Sequence, residues 1–227
     1  MALILLLETA TPVCSVALSR DGQVISSREV NEANVHASKL TLFIEAVMKE
    51  ARVKYRDLNA VAVSRGPGSY TGLRIGVSTA KGLCFALGIP LIAVDTLEAM
   101  ATGYLQSAGE EKEGLRLCPM IDARRMEVYL AVFSADLDIV EPVQARILDE
   151  GTFAEYPRIV LFGDGAAKCR ALYADHPNIR IEQFPNSARY LNTPAFRKFE
   201  EQEFEDVAYF EPFYLKDFVA GKPRGQS

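Results

Sequence analysis

The glycine-rich stretch at residues 64–76 comes closest, in residue types and spacing, to ligand-binding chemistry. Glycines between a strand and a helix let backbone N–H groups approach a phosphate. The Walker phosphate loop also needs a Lys followed by Ser or Thr, and none follows here. Gly66, Gly68 and Gly72 miss the dinucleotide-binding spacing by one residue. The stretch therefore predicts a tightly packed strand–turn–helix junction, with a direct ligand loop as the alternative. The loop itself comprises Arg65, Gly66, Pro67 and Gly68.

Candidate nucleophiles, bases and metal ligands are sparse. His36 and His176 are the only histidines, and neither has a second histidine at helical spacing. The four cysteines form no Cys-x-x-Cys pair, and no serine lies in a Gly-x-Ser-x-Gly elbow. We therefore predict no catalytic residue, no metal site and no cofactor. Arg124 and Arg125 are either phosphate ligands or solvated turn residues.

Length and charge bound the class of protein. The 227 residues include 25 cationic and 30 anionic side chains, which gives a net charge of −5. This balance argues against a stand-alone nucleic-acid-binding protein, whose surface is usually basic. No apolar stretch approaches the roughly 20 residues of a membrane span, and no signal-peptide pattern precedes the first strand. We expect a cytoplasmic protein with no membrane partner.

Hydrophobic periodicity predicts that one order of elements occurs twice along the chain. Three strands, a helix, a strand, a helix, a strand and a helix come first, and a second series begins near Arg116. We predict an α/β fold with residues 1–105 as the first lobe and residues 106–206 as a smaller second lobe. The C-terminal segment 207–227 is expected to return to the first lobe. The predicted helices run from Asn34 to Arg52, Thr71 to Leu87, Thr96 to Tyr104, Gly165 to Ala174 and Ser187 to Phe204.

The helix predicted at Thr71–Leu87 is apolar on nearly its whole circumference, with only Arg74 and Lys81 charged. Such a helix is buried on most sides, and a lobe of about 100 residues has little chain to spare for covering a second face. Gly72 and Gly76 each cost about 1 kcal/mol inside a helix, which predicts a close neighbour. We favour a second protein chain over burial within this chain alone.

The first strand of each predicted lobe ends in one acid, Glu8 in the first lobe and Asp122 in the second. Both positions resemble the nucleotide cleft of the actin-like ATPase superfamily. In that superfamily the first turn touches phosphate, its acid helps to place magnesium, and a later glycine turn contacts adenosine. Neither acid is followed here by the glycine of that pattern, so plain structural turns are the alternative. The resemblance assigns a vestigial cleft to Glu8, Thr9, Asp122, Gly163 and Gly165.

Four stretches taken together resemble the TsaB (YeaZ) family of accessory subunits in bacterial tRNA threonylcarbamoyladenosine modification. They are Leu7-Glu-Thr-Ala-Thr-Pro12, Arg65-Gly-Pro-Gly-Ser-Tyr-Thr-Gly-Leu-Arg-Ile-Gly76, Ile121-Asp-Ala-Arg124 and Glu211-Pro-Phe-Tyr-Leu-Lys216. The resemblance implies a two-lobed actin-like (ASKHA) fold of βββαβαβα lobes with the second lobe reduced. It also implies a heterodimer with the catalytic paralogue TsaD, recruitment of the ATPase TsaE, homodimers when the chain is alone, and tRNA contact only through the complex.

The resemblance places the partner contacts on two first-lobe helices. They comprise His36, Lys39, Leu42, Ala46, Gly72, Arg74, Ile75, Gly76, Thr79, Ala80, Gly82 and Leu83. The expected function is a non-catalytic scaffold that activates a TsaD-like subunit in modifying the adenosine next to the anticodon. Two alternatives stay open: a stand-alone small-molecule kinase or ATPase of the same fold, and an M22-type metallopeptidase, which would require a bound metal.

Overall fold

The computed structural model describes residues 2–109 and 111–216, which form two mixed five-stranded sheets, one in each lobe. The first sheet has the order β3-β2-β1-β4-β5 and the second the equivalent order β8-β7-β6-β9-β10. The predicted duplication of two α/β lobes is therefore confirmed. The strands are β1 (Leu3–Glu8), β2 (Val13–Arg20), β3 (Gln23–Asn31), β4 (Ala60–Gly66), β5 (Leu91–Asp95), β6 (Arg116–Asp122), β7 (Glu127–Ser134), β8 (Ile139–Ile147), β9 (Ile159–Phe162) and β10 (Ile179–Glu182).

The central strand β1 shows why the first sheet is covered on both faces. Side chains alternate across a strand, so a continuously apolar strand supplies two cores. Leu5 and Leu7 pack into one core, and Ile4 and Leu6 pack into the core on the opposite face. β1 pairs antiparallel with β2 and parallel with β4, which brings the β1–β2 turn beside the end of β4.

In the described part of the chain, four α-helices surround the sheets. Two of them, α1 (His36–Glu50) and α2 (Tyr70–Leu87), share one face of the first sheet. α2 begins where the Ser69 hydroxyl accepts a hydrogen bond from the Gly72 N–H (3.2 Å), and it ends at Gly88 in the left-handed conformation (φ 65°). α1 begins at His36, although the helix was predicted to start at Asn34. Asn34 adopts a φ of 63° and lies outside the helix. The helices are α1 (His36–Glu50), α2 (Tyr70–Leu87), α3 (Thr96–Ala108) and α4 (Asn192–Glu200).

The second lobe keeps the strands of the repeat but little of its helical structure. The helix predicted from Gly165 to Ala174 is only a short 3-10 helix, Gly165–Cys169. Turns replace a helix between β8 and β9. The space is filled by three aromatic side chains, Phe153, Tyr156 and Tyr173. Helix α3 of the first lobe covers the other face of this sheet, with Met100 and Tyr104 among its contacts.

The chain returns to the first lobe earlier than predicted. Ala188, Leu191 and Ala195 pack in the same core as β1, although residues 106–206 were assigned to the second lobe. The helix predicted from Ser187 to Phe204 is divided into a 3-10 helix, Ala188–Leu191, and α4. Residues 207 and 210 then pack against the opposite core of the first sheet. Residues 217–227 of the predicted returning segment lie outside the described residues.

Candidate docking face and interlobe cleft

The glycine-rich junction between β4 and α2 presses directly on the β1–β2 turn. A Cβ atom on Gly72 would overlap the carbonyl oxygen of Thr9, and one on Gly76 would overlap the Thr9 hydroxyl. A Cβ on Gly68 would overlap the carbonyl oxygen of Ala10, which also accepts a hydrogen bond from the Ser69 N–H (2.7 Å). The predicted tight junction is confirmed. The close neighbour that the helix glycines required is this chain's own turn.

This packing corrects four of the predicted partner contacts. Gly72, Gly76 and Ala80 are buried on the inner side of α2, and none of them offers surface to a second chain. His36 is only 7% exposed, and its Nε2 lies 3.0 Å from the carbonyl oxygen of Thr11. Because that partner is a carbonyl, Nε2 donates the hydrogen bond, and His36 ties α1 to the β1–β2 turn.

The loop Arg65–Gly68 is held by contacts within the chain as well. The Arg65 guanidinium forms two hydrogen bonds of 2.9 Å with the Asp95 carboxylate, at the end of the neighbouring strand β5. The Arg65 carbonyl accepts a hydrogen bond from the Phe213 N–H (2.7 Å). Gly66 has a φ of 119°, where a side chain would be strained. The loop is therefore a structural junction in this chain.

The outer sides of the adjacent helices α1 and α2 carry exposed apolar side chains among polar ones, and we call this surface the helix face. It retains eight of the predicted contacts. Leu42 is 56% exposed, and a Cβ at Gly82 would meet no atom within 4 Å. Phe85 is 85% exposed, and the sequence analysis did not select it. The buried positions of α2 include Val77 and Cys84, and Phe85 lies outside them. The helix face comprises Lys39, Leu42, Ala46, Arg74, Ile75, Thr79, Gly82, Leu83 and Phe85.

The two lobes face each other across a cleft of about 570 Å³. Asp122 lines it and forms an ion pair with Lys168, while its carboxylate accepts a hydrogen bond from the Arg124 N–H (2.6 Å). Asp164, which sequence reasoning did not single out, also lines the cleft and accepts a hydrogen bond from the Asp122 N–H (3.2 Å). Burial, together with the charge of Asp122, raises the pKa of the Asp164 carboxyl.

The other four predicted cleft residues do not line this space. Glu8 and Thr9 are completely buried beneath the start of α2. A Cβ on Gly163 would overlap the carbonyl oxygen of Met120. A Cβ on Gly165 would lie 2.8 Å from the carbonyl carbon of Ile121, also in β6. These glycines therefore allow two strand ends to approach each other. Of the predicted set, only Asp122 is positioned to meet a ligand in the cleft.

The buried carboxyl of Glu8 links the turn to the rest of the first sheet. Its Oε1 accepts hydrogen bonds from the Ala10 N–H (2.6 Å) and the Ser64 hydroxyl (3.0 Å), and Asn186 lies beside it. Burial raises the pKa of Glu8 to about 7, against the opposing effect of these hydrogen bonds. The carboxyl points into the protein, so it cannot help to place a metal ion in the cleft.

Residues 2–109 and 111–216 contain neither a cluster of metal-ligating side chains nor a membrane-spanning helix. No three or more His, Cys, Asp or Glu side chains in these ranges are grouped so that they could hold a metal ion. Within the same ranges, no helix has the length and apolarity needed to cross a bilayer.

The repeated sheets and their shared helical layer define a two-lobed α/β protein of the actin-like class. The fold is similar to that of an activator of 2-hydroxyisocaproyl-CoA dehydratase from Clostridium difficile, with a TM-score of 0.53 at 9% identity over 90% of this chain and 98% of that chain. YeaZ from Pseudomonas aeruginosa is much more similar, with a TM-score of 0.82 and 26% identity over 95% of this chain and 100% of that chain.

Comparison of sequences narrows the class to a family. The family model described as TsaD, tRNA N6-adenosine threonylcarbamoyltransferase, matches residues 29–209. The Escherichia coli tRNA threonylcarbamoyladenosine biosynthesis protein TsaB is 38% identical over 133 residues, which are 59% of this chain and 55% of that protein. The chain belongs to this threonylcarbamoyltransferase-related family, in its TsaB/YeaZ branch. It spans slightly more than half the length of the curated TsaB relatives it matches.

Proposed function

We propose that this chain is a non-catalytic scaffold subunit that binds a TsaD-like catalytic paralogue through the helix face. In this role it supports threonylcarbamoyl modification of the adenosine next to the tRNA anticodon. The observation that carries the proposal is the exposure of large apolar side chains, Leu42 at 56% and Phe85 at 85%, on two adjacent helices. Large apolar side chains exposed on neighbouring helices favour a protein–protein contact.

The geometry of the helix face fits a pair of helices from the partner. Ala46 and Gly82 are small and leave room for a partner helix to approach, while Leu42 and Phe85 project on either side. Aromatic and large apolar side chains around small residues are typical of the centre of a stable interface. A TsaD-like partner matches the same family model and would present equivalent helices, which gives an arrangement close to two-fold symmetry.

A second copy of this chain would use the same surface. We therefore expect a homodimer when the chain is alone, and we expect it to compete with the heterodimer. One helix face accommodates one partner at a time, so the two assemblies are mutually exclusive.

The non-catalytic assignment rests on how the candidate groups are engaged. Glu8 is buried away from the cleft, and Asp122 is held in an ion pair with Lys168. The net charge of −5 favours tRNA contact through the partner rather than through this chain. We include a TsaE-like ATPase as the third protein of the complex, in line with the family relationship.

Substitution of Gly82 by glutamate tests the proposal. A Cβ at this position meets no atom of this chain within 4 Å, and any residue other than proline is favoured over glycine in a helix, so the monomer should stay folded. A charge at the centre of the helix face should weaken the heterodimer at least about 100-fold, because an unpaired charge would be buried in the interface. Sedimentation velocity of the variant, mixed with the TsaD-like protein of the same organism, measures this.

The matched control is Gly151→Glu, at a glycine in the second lobe whose Cβ would lie at an ordinary distance of 3.6 Å from its neighbour. This variant should bind as the unmodified chain does. Reconstituted tRNA modification should fall with complex formation for Gly82→Glu and stay unchanged for the control. A Gly82→Glu chain that is folded and still forms the complex at full affinity would refute the proposed interface.

A further inference from the structure

Residues 205–216 form an extended segment, here called the strap, that runs along α2 in the opposite direction. It begins where the Glu205 N–H donates to the carbonyl oxygen of Leu91 (2.9 Å). It passes the start of α2, where the rings of Tyr70 and Tyr214 lie 4.8 Å apart. It reaches the second lobe through an ion pair between Lys216 and Glu127. The strap therefore lies beside the helix face along most of α2.

Lys81 fixes the middle of the strap to α2. Its ammonium group donates hydrogen bonds to the carbonyl oxygens of Ala208 (3.1 Å) and Phe210 (2.8 Å). The turn between them is closed from the other side, because the Asp206 carboxylate accepts hydrogen bonds from the N–H groups of Ala208 (2.7 Å) and Tyr209 (3.1 Å). Phe210 packs against the core of the first lobe. This part of the strap is thus held at three points.

Tyr209 projects from this fixed turn into solvent and is 85% exposed. Tyr209 lies at the level of Lys81. Phe85 is four residues after Lys81, so it lies on the same side of α2, about 6 Å further along the helix axis. Phe85 is also 85% exposed. Two large aromatic rings therefore stand out at one border of the helix face. A ring held by a rigid backbone loses little entropy on binding, which is the property of an interface hot spot.

We infer that the strap is a third element of the docking surface, in which Tyr209 contacts the TsaD-like partner beside Phe85 and Lys81 is the positioning residue that holds Tyr209 in place. This inference rests on the proposed function and extends its interface beyond the two helices. The continuity of the strap with the helix face, through the bonds made by Lys81, argues for the same occupant on both surfaces.

Isothermal titration with the TsaD-like partner tests the inference. Tyr209→Ala should weaken binding about 30-fold, as for a hot-spot aromatic residue, and Tyr209→Phe should retain most of the affinity. Ile139→Ala is the control, because Ile139 is 68% exposed on β8 in the other lobe and should have no effect. Thermal unfolding of each variant shows that the chain remains folded.

Lys81→Met keeps the apolar stem and removes the ammonium group, so it tests the positioning role. It should weaken binding about as much as Tyr209→Ala does, and Tyr209→Ala should add little in the Lys81→Met background, since the ring is no longer held. Full affinity of Lys81→Met would overturn the positioning role.

The outcomes separate this inference from the proposed function. If Tyr209→Ala binds within twofold of the unmodified chain while Gly82→Glu abolishes binding, the strap contact is refuted and the helix interface stands. If both variants bind normally, the proposed interface fails as well. If Tyr209→Ala weakens only self-association, a second copy of the chain occupies the strap surface, and the inferred partner is wrong.

Discussion

Replacing Glu8 with glutamine should remove most of the change in this chain's stability between pH 5 and pH 8. Burial raises the pKa of the Glu8 carboxyl from its ordinary value of 4.5 to about 7 in the folded chain. Between these values the folded state keeps a proton that the unfolded state has released. The free energy of unfolding therefore falls as the pH rises through this window, and the stabilising contribution is complete only below about pH 4.5.

The size of the effect follows from the same values. The difference between 4.5 and about 7 corresponds to about 3 kcal/mol of stability. Most of this is lost between pH 5 and pH 8, and the rest lies below pH 5. Glutamine has no titrating proton, and its carbonyl oxygen can keep the hydrogen bonds from Ala10 and Ser64.

Urea unfolding at pH 5 and pH 8, followed by far-UV circular dichroism because the chain has no tryptophan, measures the effect. The readout is the change in stability with pH, so a constant cost of the substitution does not matter. The nearby thiol of Cys14, with its pKa raised to about 11, does not titrate in this range. Glu150→Gln, at an exposed carboxyl, is the control. If Glu8→Gln and the unmodified chain lose the same stability between the two pH values, the account of Glu8 is refuted.

The remaining predictions concern the two sides of the docking helices. Gly76→Ala should destabilise the chain by about 2 kcal/mol, because the overlap with Thr9 outweighs the gain in helix propensity. Gly82→Ala should stabilise it by about 1 kcal/mol. Urea unfolding measures both, and stability changes of the same sign would contradict the packing described. His36→Ala should cost about 2 kcal/mol of stability by leaving the Thr11 carbonyl without its buried partner. The same variant should bind the TsaD-like partner with unchanged affinity; a selective loss of binding would return His36 to the interface.

Elements set by local signals were predictable from the sequence. The continuous apolar strand β1 and the stop of α2 at Gly88 follow from strand patterning and from the left-handed conformation that glycine adopts. The helix expected after Gly165 is a 3-10 helix that ends at Cys169, and Phe153 from an earlier turn packs in the same core. Local propensity does not register packing against residues outside the helix itself.

The candidate site was harder to predict because its contacts join residues far apart in the chain. Periodicity indicated that α2 is covered on most sides, but it could not say which molecule covers each side. Thr9 lies more than 60 residues before Gly72 and Gly76, so nothing local linked them. Tyr209 was missed for another reason. The strap has no helical or strand periodicity, so its position depends on long-range contacts such as the hydrogen bonds from Lys81.

The two faces of α2 are packed differently, and this difference is consistent with the proposed scaffold role. The glycines bring the inner face so close to the β1–β2 turn that Thr9 is buried and the Glu8 carboxyl is enclosed. The same contacts anchor α2 firmly along the first sheet, which leaves Gly82 and Phe85 on a rigid outer surface. One packing arrangement therefore encloses the turn and fixes α2, and the contact with Thr9 accounts for Gly72 and Gly76.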